Sequence, residues 1–227
     1  MTHRADRRRG ARVALLCALA LAGCSEPDPR NDPRLLVLDG IEIRFDELEP
    51  YVAFLDSFRP EGGRKTKVML ALTEHVLPLR LARRAFPAER EEQRRRAEAL
   101  AAVADNVAEL ERQSALVEHK RRSALTRMKA LLPVAMFLFD PLTRGAVSPP
   151  IEVPQGWFVV GAFDYQESPI ALADHVDALQ VGFVTHTSRQ WTEWIEAEQQ
   201  RIGAKATFVH PDYREMMPAW IEPPRNP

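Results

Sequence analysis

The chain has 227 residues, of which 45% are hydrophobic and 28% are charged, and its formal net charge is −1 at pH 7. This composition excludes an intrinsically disordered chain, and the length is sufficient for the hydrophobic core of one or two domains. Because the chain has no excess of basic residues, it is not expected to bind nucleic acid.

The N-terminus, residues 1–23, is typical of a signal peptide. A basic segment ending at Arg12 is followed by an apolar run over residues 13–22, which is shorter than the roughly 20 residues that a membrane span requires. The sequence Leu-Ala-Gly-Cys that closes this run resembles the lipobox of bacterial lipoproteins. The resemblance implies acylation of Cys24 and, with Ser25 next, an outer-membrane location facing the periplasm. An ordinary secretory signal is the alternative.

Loss of the signal peptide changes the chemistry of the mature chain. Cys17 would be removed and Cys24 would carry lipid, so no disulfide is expected to stabilise the fold. The signal also contains five arginines and one aspartate, and its removal leaves an acidic chain. The acyl chains, rather than basic side chains, would therefore attach the protein to the membrane.

The next segments are interpreted as a flexible tether, residues 24–34, and the N-terminal part of a helical domain, residues 35–87. The tether is rich in proline and polar residues. A strand, a turn at Asp39-Gly40 and a second strand predict a β-hairpin. Asp46 is the predicted N-cap of the following helix, with Glu49 as its capping-box partner. A second helix is predicted over residues 64–86.

The two predicted helices have an apolar stripe and one proline each. In the first helix the stripe comprises Leu48, Tyr51, Val52, Leu55 and Phe58, and Pro50 is placed in its first turn. In the second helix the inward residues are Val68, Leu72, Val76 and Leu79, and Pro78 is expected to kink it.

The segments VLDGIEIRFDELEPYV and VMLALTEHVLPLRLARRA resemble the start of periplasmic foldases of the SurA and PrsA type. In that family a short hairpin precedes a capped helix, and a second helix carries a leucine-rich stripe. The resemblance implies a peptidyl-prolyl isomerase family with chaperone function.

Residues 88–132 contain neither glycine nor proline, which predicts one long helix or two helices separated by a turn. A three-four repeat begins at Leu100 and ends at Leu131, as in the seam of a coiled coil. The seam is expected to pack against the rest of the chain, with homodimer formation through the long helix as the alternative.

Residues 133–166 resemble the end of a parvulin-type isomerase domain. The matching positions are Phe137, Gly145, Val147, Ser148, Pro150, Ile151, Gly156, Trp157, Val159 and Val160. In parvulins a histidine follows the glycine-aromatic pair, whereas this chain has Phe158. The first half of the parvulin domain also has no counterpart in the predicted long helix. The segment is therefore interpreted as a β-hairpin remnant with no catalytic residue.

Other chemistry finds little support in the sequence. The histidines at positions 75, 119, 175, 186 and 210 show no metal-ligand spacing and are each expected to be surface or capped residues. No hydrolase nucleophile motif or phosphate-binding loop occurs. No metal and no cofactor are therefore expected.

The C-terminal segments are interpreted as a return of the helical domain, residues 167–218, and a tail, residues 219–227. Ser168-Pro169 is expected to cap a helix that ends near Leu179, and Thr187 or Ser188 to cap a second helix that ends at Gly203. A strand with Phe208 follows. This arrangement resembles the C-terminal return of SurA and PrsA proteins, which implies that both ends of the chain build one domain.

The sequence thus predicts an α+β fold that is mainly α: a SurA-like helical domain closed by N- and C-terminal segments, one long helix and a parvulin-remnant hairpin. The expected function is an envelope lipoprotein that binds unfolded exported polypeptides as a chaperone without isomerase activity. A scaffold with one fixed partner and an active prolyl isomerase are the alternatives. The candidate client-binding residues are Phe54, Phe58, Met136, Phe137, Trp157, Trp191 and Trp194.

Overall fold

The computed structural model describes residues 29–224. The predicted signal peptide, residues 1–23, and the predicted lipidation site Cys24 lie outside the described residues. Within the predicted tether, Pro29–Asn31 form a 3-10 turn rather than an extended segment. The chain from Pro33 onward forms one unit, and its described part has seven α-helices and seven β-strands.

The first sheet joins the two ends of this unit. Strands β1 (Arg34–Leu38) and β2 (Ile41–Arg44) form the predicted hairpin, and its turn residues Asp39 and Gly40 both have positive φ, 49° and 78°. Strand β7 (Ala206–Val209) pairs antiparallel with the other side of β1. The prediction that the C-terminal strand returns to the N-terminal hairpin is confirmed.

Helix α1 (Phe45–Phe58) starts directly after β2. The prediction of Asp46 as N-cap was wrong, because the helix already includes Phe45, and Glu47 rather than Glu49 accepts a hydrogen bond from the Arg44 N–H at 3.3 Å. Pro50 therefore lies inside the helix rather than in its first turn. The predicted inward face is confirmed: its buried residues are Leu48, Val52, Leu55 and Phe58.

The second predicted helix contains a π-helical turn at Leu72–Val76, between α2 (Arg64–Ala71) and α3 (Leu77–Ala85). In this turn the Leu77 N–H donates to the carbonyl of Leu72, five residues earlier. Pro78 cannot donate such a bond and its ring would crowd the carbonyl four residues before it in a regular helix. The wider turn accommodates this proline. The predicted inward residues Val68, Leu72, Val76 and Leu79 are buried.

The prediction of one long helix over residues 88–132 was wrong. Helix α4 (Pro87–Ala101) is followed by α5 (Val107–Gln113), whose N-cap Asn106 accepts a hydrogen bond from the Glu109 N–H at 3.0 Å. The chain then forms strand β3 (His119–Thr126). The eight residues of β3 all pair with a neighbouring strand, and this long-range pairing outweighs the local helical repeat. The continuous seam needed for the proposed helical homodimer is therefore not formed.

The predicted hairpin remnant is part of a four-stranded antiparallel sheet. Strands β4 (Ile151–Val153) and β5 (Gly156–Gln166) form the hairpin, and β6 (His175–Val184) lies between β5 and β3. The helix predicted from Ser168 to Leu179 was wrong: residues 171–173 form a 3-10 turn, and the segment after it pairs with strands on both sides.

Helices cover the two faces of this sheet unequally. Helices α4 and α5 cover one face, where Leu100 and Leu110 pack with Val159 and Val181. Helix α6 (Leu132–Leu138) covers part of the other face, where Val134 and Leu138 join a cluster with Val160 and Ala178. Because α6 has only seven residues, one half of this second face stays open.

Helix α7 (Ser188–Ile202) returns the chain to the first sheet. Thr187 is its N-cap, as predicted, and forms a capping box with Gln190. Buried residues from this C-terminal part, namely Ile202, Val209, Tyr213 and Ile221, share one core with β1 and helices α1 to α3. The fold is thus mixed α+β, as predicted, with seven α-helices and two small sheets in residues 29–224.

Candidate functional site

The open half of the four-stranded sheet forms a cleft of about 510 Å³. Strands β3, β5 and β6 provide its floor, and the turn before β5 and the start of α7 provide its walls. The lining residues are Glu118, His119, Lys120, Arg121, Leu131, Gln155, Phe158, Gln180, Val184, His186, Thr187 and Ser188.

Phe158 of β5 lies on the floor of the cleft. In the register of the sheet it stands opposite Gly182 of β6, and Gly182 stands opposite His119 of β3. A Cβ atom at Gly182 would lie 3.0 Å from the Phe158 ring, so the ring rests directly on this glycine. The absence of a side chain at Gly182 therefore allows the phenyl ring to lean across β6.

A second row of residues crosses the sheet two residues further along each strand from the row that contains Phe158. Arg121 of β3 stands opposite Gln180 of β6, and Gln180 stands opposite Val160 of β5. Within residues 29–224, no hydrogen bond or ion pair engages the side chain of Arg121 or of Gln180. The cleft thus combines the apolar surface of Phe158 with polar groups that are available to a ligand.

Two polar atoms in the walls are buried without a hydrogen-bond partner in the described part of the chain, Gln155 Oε1 and His186 Nδ1. The His186 ring is held between aromatic side chains, 4.7 Å from the Phe86 centroid and stacked at 6.4 Å on Trp194. Buried polar atoms are usually satisfied by protein or by water. A ligand in the cleft would reach these two atoms only after the Gln155 or His186 side chain rotates toward it.

Position 158, where the resemblance to parvulins implied a histidine, lies on the cleft floor and is occupied by Phe158. His119 is in the same row across the sheet as Phe158, but it lies on β3, and β6 separates β3 from β5. Since neighbouring strands lie about 4.8 Å apart, the backbones of these two residues are separated by roughly 10 Å. No histidine of the described residues therefore shares strand β5 with Phe158.

The seven candidate client-binding residues do not form one surface. Phe58 and Trp191 are buried, with exposed fractions of 6% and 9%. Trp194 packs against the first core, Phe54 and Phe137 pack against the core under α6, and Trp157 packs against the core under α4 and α5. Met136 lies on α6 and is half-buried. The cradle predicted from these residues is not assembled.

Sequence reasoning missed the residues of β3 and β6 that line the cleft. His119 and Arg121 were assigned to the long helix, and Gln180 was placed just after a helix. The β-branched and aromatic residues of β6, Val176, Val181, Phe183 and Val184, were a strand signal. No local signal in β3 identified its partner.

A second polar cluster lies away from the cleft, between the helices and β4. His75 is only 2% exposed and its ring lies 4.7 Å from the Tyr51 ring, so the expectation of a surface or capped histidine was wrong here. Burial lowers the pKa of His75 to about 4, against the attraction of nearby Glu152. Both Arg83 and Arg90 donate hydrogen bonds to Glu152. Although burial alone would raise the pKa of Glu152, these hydrogen bonds hold it below its ordinary value.

Comparisons with known proteins give no further assignment. No family model matches the chain, and neither a curated protein nor a solved structure matches it. Within residues 29–224, no three histidine, cysteine, aspartate or glutamate side chains are grouped to hold a metal ion. In the same residues no helix has the length and apolar character to cross a membrane.

Proposed function

We propose that this protein is a lipid-anchored envelope chaperone that holds unfolded segments of exported proteins in the cleft beside Phe158, without isomerising prolyl bonds. The observation that carries the proposal is the half-covered sheet face, on which an aromatic floor is bordered by unpartnered polar groups. The lipid anchor and envelope location rest on the resemblance of residues 21–24 to a lipobox.

An unfolded polypeptide matches the chemistry of this cleft. Its side chains can contact Phe158, Leu131 and Val184, and its backbone N–H groups can donate to the side-chain oxygen of Gln180. The side-chain NH2 group of Gln180 can also donate to a backbone carbonyl of the bound polypeptide. A few aromatic contacts with adaptable polar groups suit binding to many sequences rather than to one.

The absence of isomerase activity follows from the residue at position 158. Catalysis must favour the twisted amide over the planar one, against a barrier of about 18–20 kcal/mol. A phenyl ring can bind the apolar face of a proline, but it has no polar group to assist the rotation. The protein would therefore bind prolyl segments without accelerating their isomerisation.

The arrangement of the N- and C-terminal segments supports the SurA-type part of the proposal. The hairpin β1–β2, the helices after it and the returning strand β7 occur in the order that the resemblance implied. The scaffold alternative has lost its main support, because the long helix through which it would bind a partner ends at Ala101.

An aggregation assay tests the proposal. The purified protein should delay aggregation of a chemically unfolded outer-membrane protein, and Phe158→Ala should weaken this delay at a temperature well below the melting temperature of the variant. Leu142→Ala is the matched control, since Leu142 is 93% exposed and lies outside the cleft. Equal holding by Phe158→Ala and the unmodified protein would place the binding surface elsewhere.

A second assay separates holding from catalysis. Short X–Pro peptides isomerise unaided in tens to hundreds of seconds, so even weak acceleration is measurable. We expect none from the unmodified protein. Acceleration that is lost in His119→Gln or His186→Gln would instead assign an active isomerase to the same cleft and reject the proposal of a non-catalytic chaperone.

A further inference from the structure

The outer edge of strand β3 borders the cleft and has no neighbouring strand. In the sheet order β3-β6-β5-β4, β3 is terminal, and its eight residues pair on one side only with β6. No other strand in residues 29–224 approaches its outer side. An edge of this length presents a row of backbone N–H and C=O groups to which another extended chain can pair.

The start of this edge is strongly basic. His119, Lys120, Arg121 and Arg122 are consecutive. The Arg122 side chain is engaged, because it donates to both oxygens of Asp177 and lies 3.9 Å from the Phe163 ring centroid. By contrast, the described residues offer no ion-pair partner to the other three side chains, and Lys120 donates only to the carbonyl of Glu111 at 3.4 Å.

These three side chains line the cleft where β3 begins. Both His119 and Arg121 face it, since they stand in the rows of Gly182 and Gln180. One acidic side chain, Glu118, also lines this part of the cleft. A ligand that runs along β3 would therefore meet backbone hydrogen-bonding groups and an excess of positive charge.

We infer that an extended acidic segment of the bound polypeptide pairs with the outer edge of β3 as a fifth strand and places its carboxylates on the cleft face of the sheet, near Arg121. This inference rests on the proposed function and specifies which part of an unfolded client is bound first. Charge complementarity selects the segment: a basic edge repels a basic strand and favours an acidic one. A second copy of this chain would bring the same basic segment and no compensating charge.

Peptide binding measured by fluorescence anisotropy tests this inference. The probe is a short labelled peptide of alternating threonine and glutamate, and it should bind the purified protein. The same peptide with lysine in place of glutamate should bind at least about tenfold more weakly. A third version, methylated on alternate backbone nitrogens, keeps the carboxylates but cannot pair as a strand, and it should also lose most of its affinity.

Variants of the protein locate the binding edge. Arg121→Glu should lower the affinity for the acidic probe by about tenfold at low salt. The loss of affinity should be smaller at high salt, because the charges are exposed and screened. Arg95→Glu is the matched control: it makes the same change of charge on the exposed face of α4, on the other side of the sheet, and should leave affinity unchanged.

The outcomes separate this inference from the proposed function. Equal binding of the acidic and lysine peptides, or undiminished binding of the methylated peptide, overturns the fifth-strand inference even if Phe158→Ala still impairs holding. Failure to hold any unfolded protein rejects the proposed function itself. A dimer in light scattering that dissociates in Arg121→Glu would assign the edge to a second copy and would also overturn the inference.

Discussion

Arg90 on α4 and Glu152 on β4 form a buried ion pair, with Arg90 Nη2 donating to Glu152 Oε1 at 2.9 Å. Arg90 is 4% exposed, and it also donates to the carbonyls of Val153 and Pro154 at 2.9 Å each. Because Arg83 of α3 binds the same carboxylate, one glutamate joins both helices to the hairpin β4–β5. The position of this hairpin relative to the two helices therefore depends on the Glu152 carboxylate.

We expect Glu152→Gln to destabilise the protein by about 3 kcal/mol, since the buried Arg90 guanidinium would lose its counter-charge. Urea unfolding measures the change. Glu91→Gln is the control: it removes an exposed carboxylate on the same helix as Arg90 and should change the stability little. Similar effects of the two variants would show that the buried pair contributes nothing specific.

His75 should make the stability depend on pH between about 4 and 6.5. Its pKa is lowered to about 4 in the folded state, so the unfolded chain binds more protons in this window. The free energy of unfolding should therefore fall as the pH drops from 6.5 towards 4, by about 3 kcal/mol in total. Glu152, whose pKa is also lowered, loses its contribution only as the pH falls below about 4.3.

The contribution of His75 can be isolated by substitution. In His75→Gln the slope of stability between pH 5 and 6.5 should largely disappear, whereas His119→Gln, at an exposed position, should retain it. Urea unfolding at several pH values measures both slopes. An unchanged slope in His75→Gln would show that another group is responsible.

Deletion of the chain from Gly203 onward should abolish cooperative unfolding. The deletion removes β7 and the buried side chains of Val209, Tyr213 and Ile221, each of which contributes about 1.5–3 kcal/mol. Their sum, together with the lost pairing to β1, approaches the whole stability of a typical domain, about 5–15 kcal/mol. Differential scanning calorimetry measures the transition.

A shorter deletion controls this experiment. Truncation after Glu222 keeps the hydrogen bond from the Glu222 N–H to the Gly203 carbonyl at 2.9 Å and should preserve the melting temperature. If the variant that lacks residues 203–227 also has the melting temperature of the unmodified protein, the N-terminal core is complete without the C-terminal return.

Cys24→Ser should release the protein from membranes, because acylation at this position is the only anchor that the sequence predicts. Fractionation of cells into soluble and membrane extracts measures the distribution. Cys17→Ser lies within the predicted signal peptide and should leave the mature protein membrane-bound. Retention of Cys24→Ser in the membrane would contradict the predicted lipid anchor.

Local sequence signals were sufficient for the first half of the fold. Asp39-Gly40 predicted a tight turn because few other dipeptides adopt two positive φ angles, and the apolar spacing around Leu48 and Val68 predicted which helix faces are buried. Thr187 was similarly sufficient to mark the start of α7. In each case the interactions that decide the structure lie within a few residues along the chain.

The position of the cleft, by contrast, is determined by the tertiary structure. Residues 119–126 have a sequence that is compatible with a helix, and they become a strand because β6, which begins at His175, offers eight partners. The open half of the sheet also depends on the short length of α6, and the position of the Phe158 ring depends on Gly182 across the strand pair. Pairing between distant segments is a cooperative property of the folded chain, so no local pattern in the sequence could have predicted where this site forms.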